Sequence, residues 1–565
     1  MIKKISIIIG SIFSILLIGV YFSYDYWLEK ELKYQLSEII SKDPNSLYRY
    51  SFEKLNIDLI DGSVDLKGIK IEPRDRAYDS LISDNNNLRF LLKLNLKEIE
   101  LIGFEITEFI KTNNIVVEAI YLDKPEFAFY FNPNKKKAEQ NMPLSEVFSD
   151  EFTSAQLNEL IINDGKLEID NYYSPEPALS INFLDIELTQ AYVDKETLKG
   201  ISPIEYEKVK LAAGSINANI SENFSIESDS LLFDAINESF TIRNFQIKPK
   251  YDQENFTRVN DKQAQWFAIT LESLKLRRIE IERFIETGEL YIGKIGVSQP
   301  NIALYKDKRK PEPPFKKKML PASAISSIPM KINVDSIEVN KGYIAINETS
   351  NLTGLKSHIS FYNLHALVRN FSNIQDTESS SILTLQASTL LYNKAPVELN
   401  MAFDLASQTD EFEVSGAVDS IEMVAFNPVL EPMMAIKVTD GQLENLKFAF
   451  TAMDTLSNGT LDMQYSNAKL EVLSEDTSTT KKKELLSFAA NTIIKSNNHM
   501  NKPGYIQGII SSDRVLNKDV WPFLWHSIQS GIISTMAPIT NDKETKHLQK
   551  LRRQELKNER KESKD

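Results

Sequence analysis

The chain has 565 residues, 42% apolar and 25% charged, ordinary globular proportions that exclude wholesale disorder and a multi-span membrane protein. Its 79 acidic residues against 65 basic ones leave a net charge of −14 and a pI near 5.2, the wrong sign for coating nucleic acid. There is no cysteine, which removes disulfides, thiolate metal sites and thiol nucleophiles, and the one close histidine pair, His358 and His365, has a spacing that no common metal motif uses.

From Ile5 to Tyr24 run 20 residues without a charge, enough at about 1.5 Å per residue to cross some 30 Å of hydrocarbon as a helix. The stretch exceeds the usual signal-peptide core, and Val20 to Tyr24 offers no small-x-small cleavage site, so the reading is an uncleaved membrane anchor (1–25) that includes Ile7, Ile12, Leu16 and Leu17. Lys3 and Lys4 before it, with Asp25, Glu29 and Glu31 after it, place the N-terminus in the cytoplasm and the bulk of the chain across the membrane. Residues 26–47 form a connector in which Leu28, Leu32, Leu36 and Ile39 recur at helical spacing. It either covers the first strand edge or lies on the membrane surface.

Beyond Tyr48 the period changes to two, as in Val64 and Leu66, Leu94 and Leu96, Ile269 and Leu271, and Leu399, Met401 and Phe403. Asp61-Gly62, Asp164-Gly165, Lys341-Gly342, Asp440-Gly441 and Asn458-Gly459 read as hairpin-like punctuation between strands. Long helical patterns are nearly absent, and no phosphate loop or dinucleotide fingerprint occurs. The stretch from Leu94 aligns without a gap on the stretch from Ile269, an offset of 175 residues, with Leu96/Leu271, Leu101/Leu276, Glu105/Glu280, Phe109/Phe284, Pro125/Pro300 and Tyr130/Tyr305 identical. Each copy runs into a basic loop, Asn132 to Lys137 and Lys306 to Lys318. The match then resumes with Asn163/Asn340, Gly165/Gly342 and Ile169/Ile346. Such repetition predicts a body built by adding similar strand groups.

The expected fold is therefore mainly β: an N-terminal transmembrane helix, then an elongated, curled antiparallel sheet of repeating strand groups, with short helices at both ends. Segments 48–150 and 151–325 are the two repeats, 326–475 a C-terminal β-region, 476–540 a helix-strand-helix closure and 541–565 a charged tail. The alternative is a set of two or three dry β-sandwiches. Leu94, Leu96, Leu101, Ile269, Leu271, Leu276, Leu399, Met401, Phe403, Phe448, Phe450, Leu461 and Met463 share the apolar parity and are the candidate lining of a groove. In the closing segment, Lys481 to Lys495 reads as a helix, Gly504 to Ser511 as a last strand, and Val520 to Met536 as an amphipathic helix carrying Trp521 and Trp525.

The succession from Phe412 to Val472, with its strand to Gly416, Asn427-Pro428, Glu431-Pro432, Gly441, the Leu446/Phe448/Phe450 strand and Gly459, resembles the C-terminal β-region of AsmA-like proteins of the Gram-negative envelope. The anchor and the strands of Phe52 to Ile71 that follow it fit the same group. The resemblance implies an inner-membrane-anchored periplasmic β-groove of the AsmA/TamB type that passes phospholipids between the inner and outer membranes. It implies phospholipid acyl chains as ligands, an outer-membrane protein or lipid as partner at the C-terminal end, and no cofactor, metal or catalytic residue. The competing expectation is a structural or regulatory scaffold of the envelope. An enzyme has no recognisable nucleophile elbow or acid/base constellation to support it.

Overall fold

The computed structural model describes residues 47–554 except 59–61, 84–87, 89, 135–152, 175, 195, 198–203, 375–380, 408, 474–493, 539–540, 542, 544 and 552–553. The expected anchor, nearly all of the connector, the Lys135 to Lys137 loop, most of the helix at Lys481 to Lys495 and the end of the tail lie outside the described residues. Among the described residues no helix is long and apolar enough to cross a membrane. Strands make up 57% and helices 16%, and 25 strands belong to one mixed sheet.

The chain divides into two compact units. The first comprises Met1–Gln246 and Lys275–Glu289, the second Ile247–Leu274 and Leu290–Asp565. In chain order, the first half holds β1 (Tyr48–Ser51), β2 (Lys54–Asp58), β3 (Ser63–Pro73), helix α1 (Asp75–Ile82), β4 (Phe90–Ile102), α2 (Ile106–Thr112), β5 (Asn114–Asp123) and β6 (Glu126–Phe131). It continues with β7 (Ser154–Asn171), β8 (Leu179–Asp194), β9 (Lys208–Ala213), β10 (Ile216–Asn219), β11 (Phe224–Ser228), β12 (Ser230–Asp234) and β13 (Ser239–Pro249). After α3 (Gln253–Val259) come β14 (Trp266–Ile279), α4 (Ile281–Thr287), β15 (Glu289–Ser298), β16 (Asn301–Asp307), α5 (Pro321–Ser326), β17 (Lys331–Thr349) and β18 (Lys356–Ser372). The remainder is β19 (Ile382–Leu391), β20 (Ala395–Asp404), β21 (Phe412–Val418), β22 (Ile421–Glu422), a 3-10 turn (Met423–Phe426), α6 (Asn427–Met434), β23 (Ile436–Ala452), β24 (Leu456–Val472), β25 (Gly508–Asp513) and α7 (Val520–Met536).

The sequence repeat is a repeat of structure. β4-α2-β5-β6-β7-β8 and β14-α4-β15-β16-β17-β18 follow the same order. α2 and α4 each end on a left-handed residue, Asn113 and Gly288, whose N–H bonds back to Phe109 and Phe284 at 2.9 Å. In both copies the fifth strand of the scheme is antiparallel to the fourth, and the fourth parallel to the third. The parallel pairs β5–β7, β6–β7 and β16–β17 correct the expected antiparallel sheet. Their cause is the long connection between Phe131 and Ser154, and between Asp307 and Lys331, which returns the chain to the start of the neighbouring strand.

The glycine punctuation is also corrected. The chain around Gly62 does turn between β2 and β3, but Asp164-Gly165 lies inside β7, Lys341-Gly342 inside β17, Asp440-Gly441 inside β23 and Asn458-Gly459 inside β24. At the first three the pairing register shifts, the mark of a bulge rather than a turn. Lys124 and Asp164 in the first copy, and Gln299 and Lys341 in the second, take left-handed backbone. The same hydrogen bonds tie both sites: Lys166 N–H to Pro125 O and Tyr343 N–H to Pro300 O, each 2.7 Å. Phe183 and Asn363 continue the bulge onto β8 and β18. One inserted residue per strand explains why the apolar parity switches there, from Leu160 and Ile162 to Leu167 and Ile169, without changing face.

Candidate functional surface

Side chains directly opposite one another on paired strands lie on one face, so the register lists the faces of the sheet. In the first unit Leu55, Leu66, Ile99, Leu122, Ile162, Ile186, Leu211, Phe233 and Phe240 stand opposite one another in turn across nine strands. On the other side of the bulges a second row joins Tyr50, Ile71, Leu94, Phe127, Leu167, Ile181 and Ile216. Of these sixteen residues Leu55 and Ile162 are buried and the rest partly exposed. At about 4.8 Å per strand the longer row extends roughly 40 Å.

The alternate parity is polar. Asn56, Asp65, Glu100, Tyr121, Ile161, Glu187, Lys210, Asp234 and Ser239 form the row next to the long apolar one. Ion pairs lace this face: Lys67–Glu98 at 2.5 Å, Lys97–Asp123 at 2.5 Å and Lys208–Glu187. The Glu98 and Asp123 carboxylates hold the Lys67 and Lys97 ammonium groups above their usual range. The Tyr121 hydroxyl, donating to Glu159 at 2.7 Å, is likewise raised by that carboxylate.

Two small clusters cover parts of the apolar face in this unit. Ala77 and Leu81 of α1 pack with Tyr48 and Leu91, and Phe109 of α2 packs with Phe104 and Val117. Burial pushes the hydroxyl of Tyr78, on α1, up to about 12, its ring edge-on to that of Tyr130 with centroids 5.7 Å apart.

In the second unit the corresponding face starts as in the first and closes over its later strands. The row Ile269, Ile302, Ile344, Phe361 and Leu391 begins partly exposed and ends buried. Further along, Leu385, Met401, Val414, Phe450, Gly459 and Ile510 stand opposite one another in turn beneath helices. Ile325 of α5, Met423 of the 3-10 turn, and Phe523, Leu524 and Met536 of α7 join one continuous core with the sheet. α7 approaches closely because Gly531 lies over Leu461 and Gly508, where added Cβ atoms would sit 2.9 Å from Leu461 and 2.3 Å from the Gly531 carbonyl. Ser527 and Ser457 hydroxyls meet beneath it at 2.7 Å. Burial pushes the Tyr392 hydroxyl up to about 12 and the Tyr465 hydroxyl further still, each donating to a carbonyl, of His358 and Lys495.

The thirteen residues chosen from sequence thus separate. Leu94, Leu101, Ile269, Leu271 and Leu276 are partly exposed on β4 and β14, with Leu96 buried between neighbours. Met401, Phe403, Phe448, Phe450, Leu461 and Met463 are buried in the closed core, and Leu399 packs against it. These C-terminal side chains face protein, Phe403 stacked on Phe412 at 5.0 Å, because α5, α6 and α7 cover their side of the sheet. Sequence reasoning missed Phe127, Ile186, Leu211, Phe233 and Phe240 as members of the open rows. Two-residue alternation marks each of them, but the phase change at each bulge conceals that they share a face.

The open rows offer no nucleophile or acid/base pair. They offer a wide apolar strip backed by a charged face. Among the described residues no group of three or more His, Asp or Glu is placed to hold a metal ion. Compared with known proteins, the chain matches no family model and no curated protein.

Proposed function

We propose that the protein is a non-enzymatic carrier of phospholipid acyl chains of the AsmA-like type, anchored in the inner membrane by its N-terminal helix with its body in the periplasm. The nine-strand apolar row from Leu55 to Phe240, partly exposed and backed by a charged face, carries this reading. Acyl chains lie along a curled groove formed by the rows while headgroups stay wet at its rim. Each methylene removed from water contributes roughly 0.8 kcal/mol, so a strip of this width lowers the cost of moving a lipid through the periplasm to the outer membrane. An outer-membrane protein or lipid receives the cargo at the C-terminal end.

The test is a charge placed in the row. Leu211→Asp chains that keep their thermal unfolding midpoint should lose phospholipid transfer between inner and outer membranes in cells, while Ala212→Asp on the opposite parity keeps it. Undiminished transfer with a folded Leu211→Asp chain contradicts the carrier. The closed core of the second unit favours a scaffold as the second reading, since a dry interior tethers partners without conducting lipid. Under that reading both substitutions leave lipid transfer untouched.

A further inference from the structure

We propose that Phe315, Met319, Val515, Trp521 and Trp525, edged by Lys316, Lys317 and Lys318, form a docking surface for an anionic lipid bilayer. This rests on the carrier reading and adds to it the contact made by the C-terminal end. In sequence the basic loop and the aromatic helix are about 200 residues apart, and each reads as solvated or as packing. The structure lays them side by side. Lys318 N–H donates to Leu516 O at 2.8 Å, and the buried Arg514 guanidinium bonds both Asp454 at 2.6 Å and the Lys318 carbonyl at 2.5 Å. Lys318 also reaches Asp519 at 3.8 Å, and Lys518 reaches Glu312 at 2.8 Å. The strap of residues 312–319 is therefore pinned along the entrance to α7.

What this pinning displays is apolar and outward. Phe315 is 71% exposed, Trp521 60% and Met319 59%, large fractions for such side chains, with Val515 and Trp525 beside them. Trp521 and Trp525 are four apart on one face of α7, while Phe523 and Leu524 turn into the core. Charge decides the occupant. Residues 306–318 and 514–519, with the paired acids Glu348 and Asp454, hold nine basic against five acidic side chains in a chain of net −14. The His526 imidazole on the same helix is depressed by burial and by Lys308, which places that ammonium nearby. Protein interfaces enrich Trp and Met but are depleted in lysine, whereas a membrane interface takes both, indoles at the headgroup level and amines on the phosphates. The surface fits lipid of negative charge.

The experiment uses the full chain with its N-terminal segment held in a phosphatidylcholine nanodisc, floated with vesicles of phosphatidylcholine alone or mixed with phosphatidylglycerol. Wild type should float with the mixed vesicles and lose binding as salt rises. Lys316→Gln/Lys317→Gln/Lys318→Gln should weaken that binding about tenfold or more and flatten its salt dependence. Trp521→Ser/Trp525→Ser, and separately Phe315→Ser on the strap, should weaken it on both kinds of vesicle. An unchanged unfolding midpoint shows that each variant is folded. Wild type that does not float, floats equally with both vesicle types, or binds no better than the lysine and tryptophan variants overturns the inference. Leu211→Asp separates the two readings. It leaves flotation intact if the dock is right, whether or not the open rows carry lipid, and absence of lipid on the rows with intact flotation removes the carrier alone.

Discussion

The two copies of the repeat begin alike and end differently. Leu94, Phe127, Leu167 and Ile181 correspond to Ile269, Ile302, Ile344 and Phe361, opposite one another in the same order with the same bulge beside them. From there the first copy passes to Ile216, still partly exposed, and the second to Leu391, buried. The strands are not what differs. Two helices and a 3-10 turn bring Ile325, Met423, Phe523 and Leu524 down on the second unit's sheet, and among the described residues no comparable cluster covers the rows around Leu211. One alternating pattern therefore serves two ends, a dry core where helices cover it and an open apolar strip where they do not.

The sharpest way to break this contrast is overpacking in the covered unit. At Gly416 an added Cβ would sit 2.4 Å from the Phe448 ring and 2.6 Å from the Glu398 carbonyl, so Gly416→Val should cost the second unit about 3 kcal/mol in urea unfolding and leave the first unit unchanged. Truncation tests it next. Leu461→Ala, fully buried beneath α7, should cost about 3 kcal/mol, whereas Leu211→Ala in the open row should cost about 1 kcal/mol. Equal costs would mean that the row is covered as well.

A smaller effect tests the likeness of the copies. Asp164 and Lys341 share left-handed backbone at the bulge, so Asp164→Val and Lys341→Val should each cost about 1–2 kcal/mol, by similar amounts. The smallest is a pH effect. All five histidines follow residue 290, and His526 is held below its ordinary value by burial and Lys308. The unfolded chain therefore binds a proton more readily than the folded one. Stability of the second unit should be full above the unfolded histidine value and fall as pH drops through it toward the folded value. His526→Gln should flatten that fall, and the first unit should show no histidine-linked change over the same range.

Much of the strand content was legible because alternation at Leu94-Asn95-Leu96 or Val397 to Phe403 is a local signal, and each stretch is a strand. The helix at Val520 to Met536 was readable to the residue from its three- and four-residue spacing. Bulges were not. Asp164-Gly165 and a hairpin turn demand the same left-handed backbone, and only the partner strand tells them apart. Nor could alternation show which stripes are covered: Phe403 and Leu94 have the same pattern, and burial depends on helices far away in sequence. The thirteen residues of the candidate lining thus divide between positions on β4 and β14, partly exposed except for Leu96, and ones buried in or packed against the second unit's core.

The account turns on whether hydrocarbon occupies the open rows, and photo-crosslinking in cells reads that directly. A photoreactive residue is placed singly at Leu211 in the open row, at Ala212 on the opposite parity and at Phe403 in the closed core of the membrane-anchored chain, and the captured species are identified by mass spectrometry. Phospholipid at Leu211, with none at Ala212 or Phe403, is the predicted result. Protein alone at Leu211, or the same lipid yield at all three positions, would contradict a carrier built on that row.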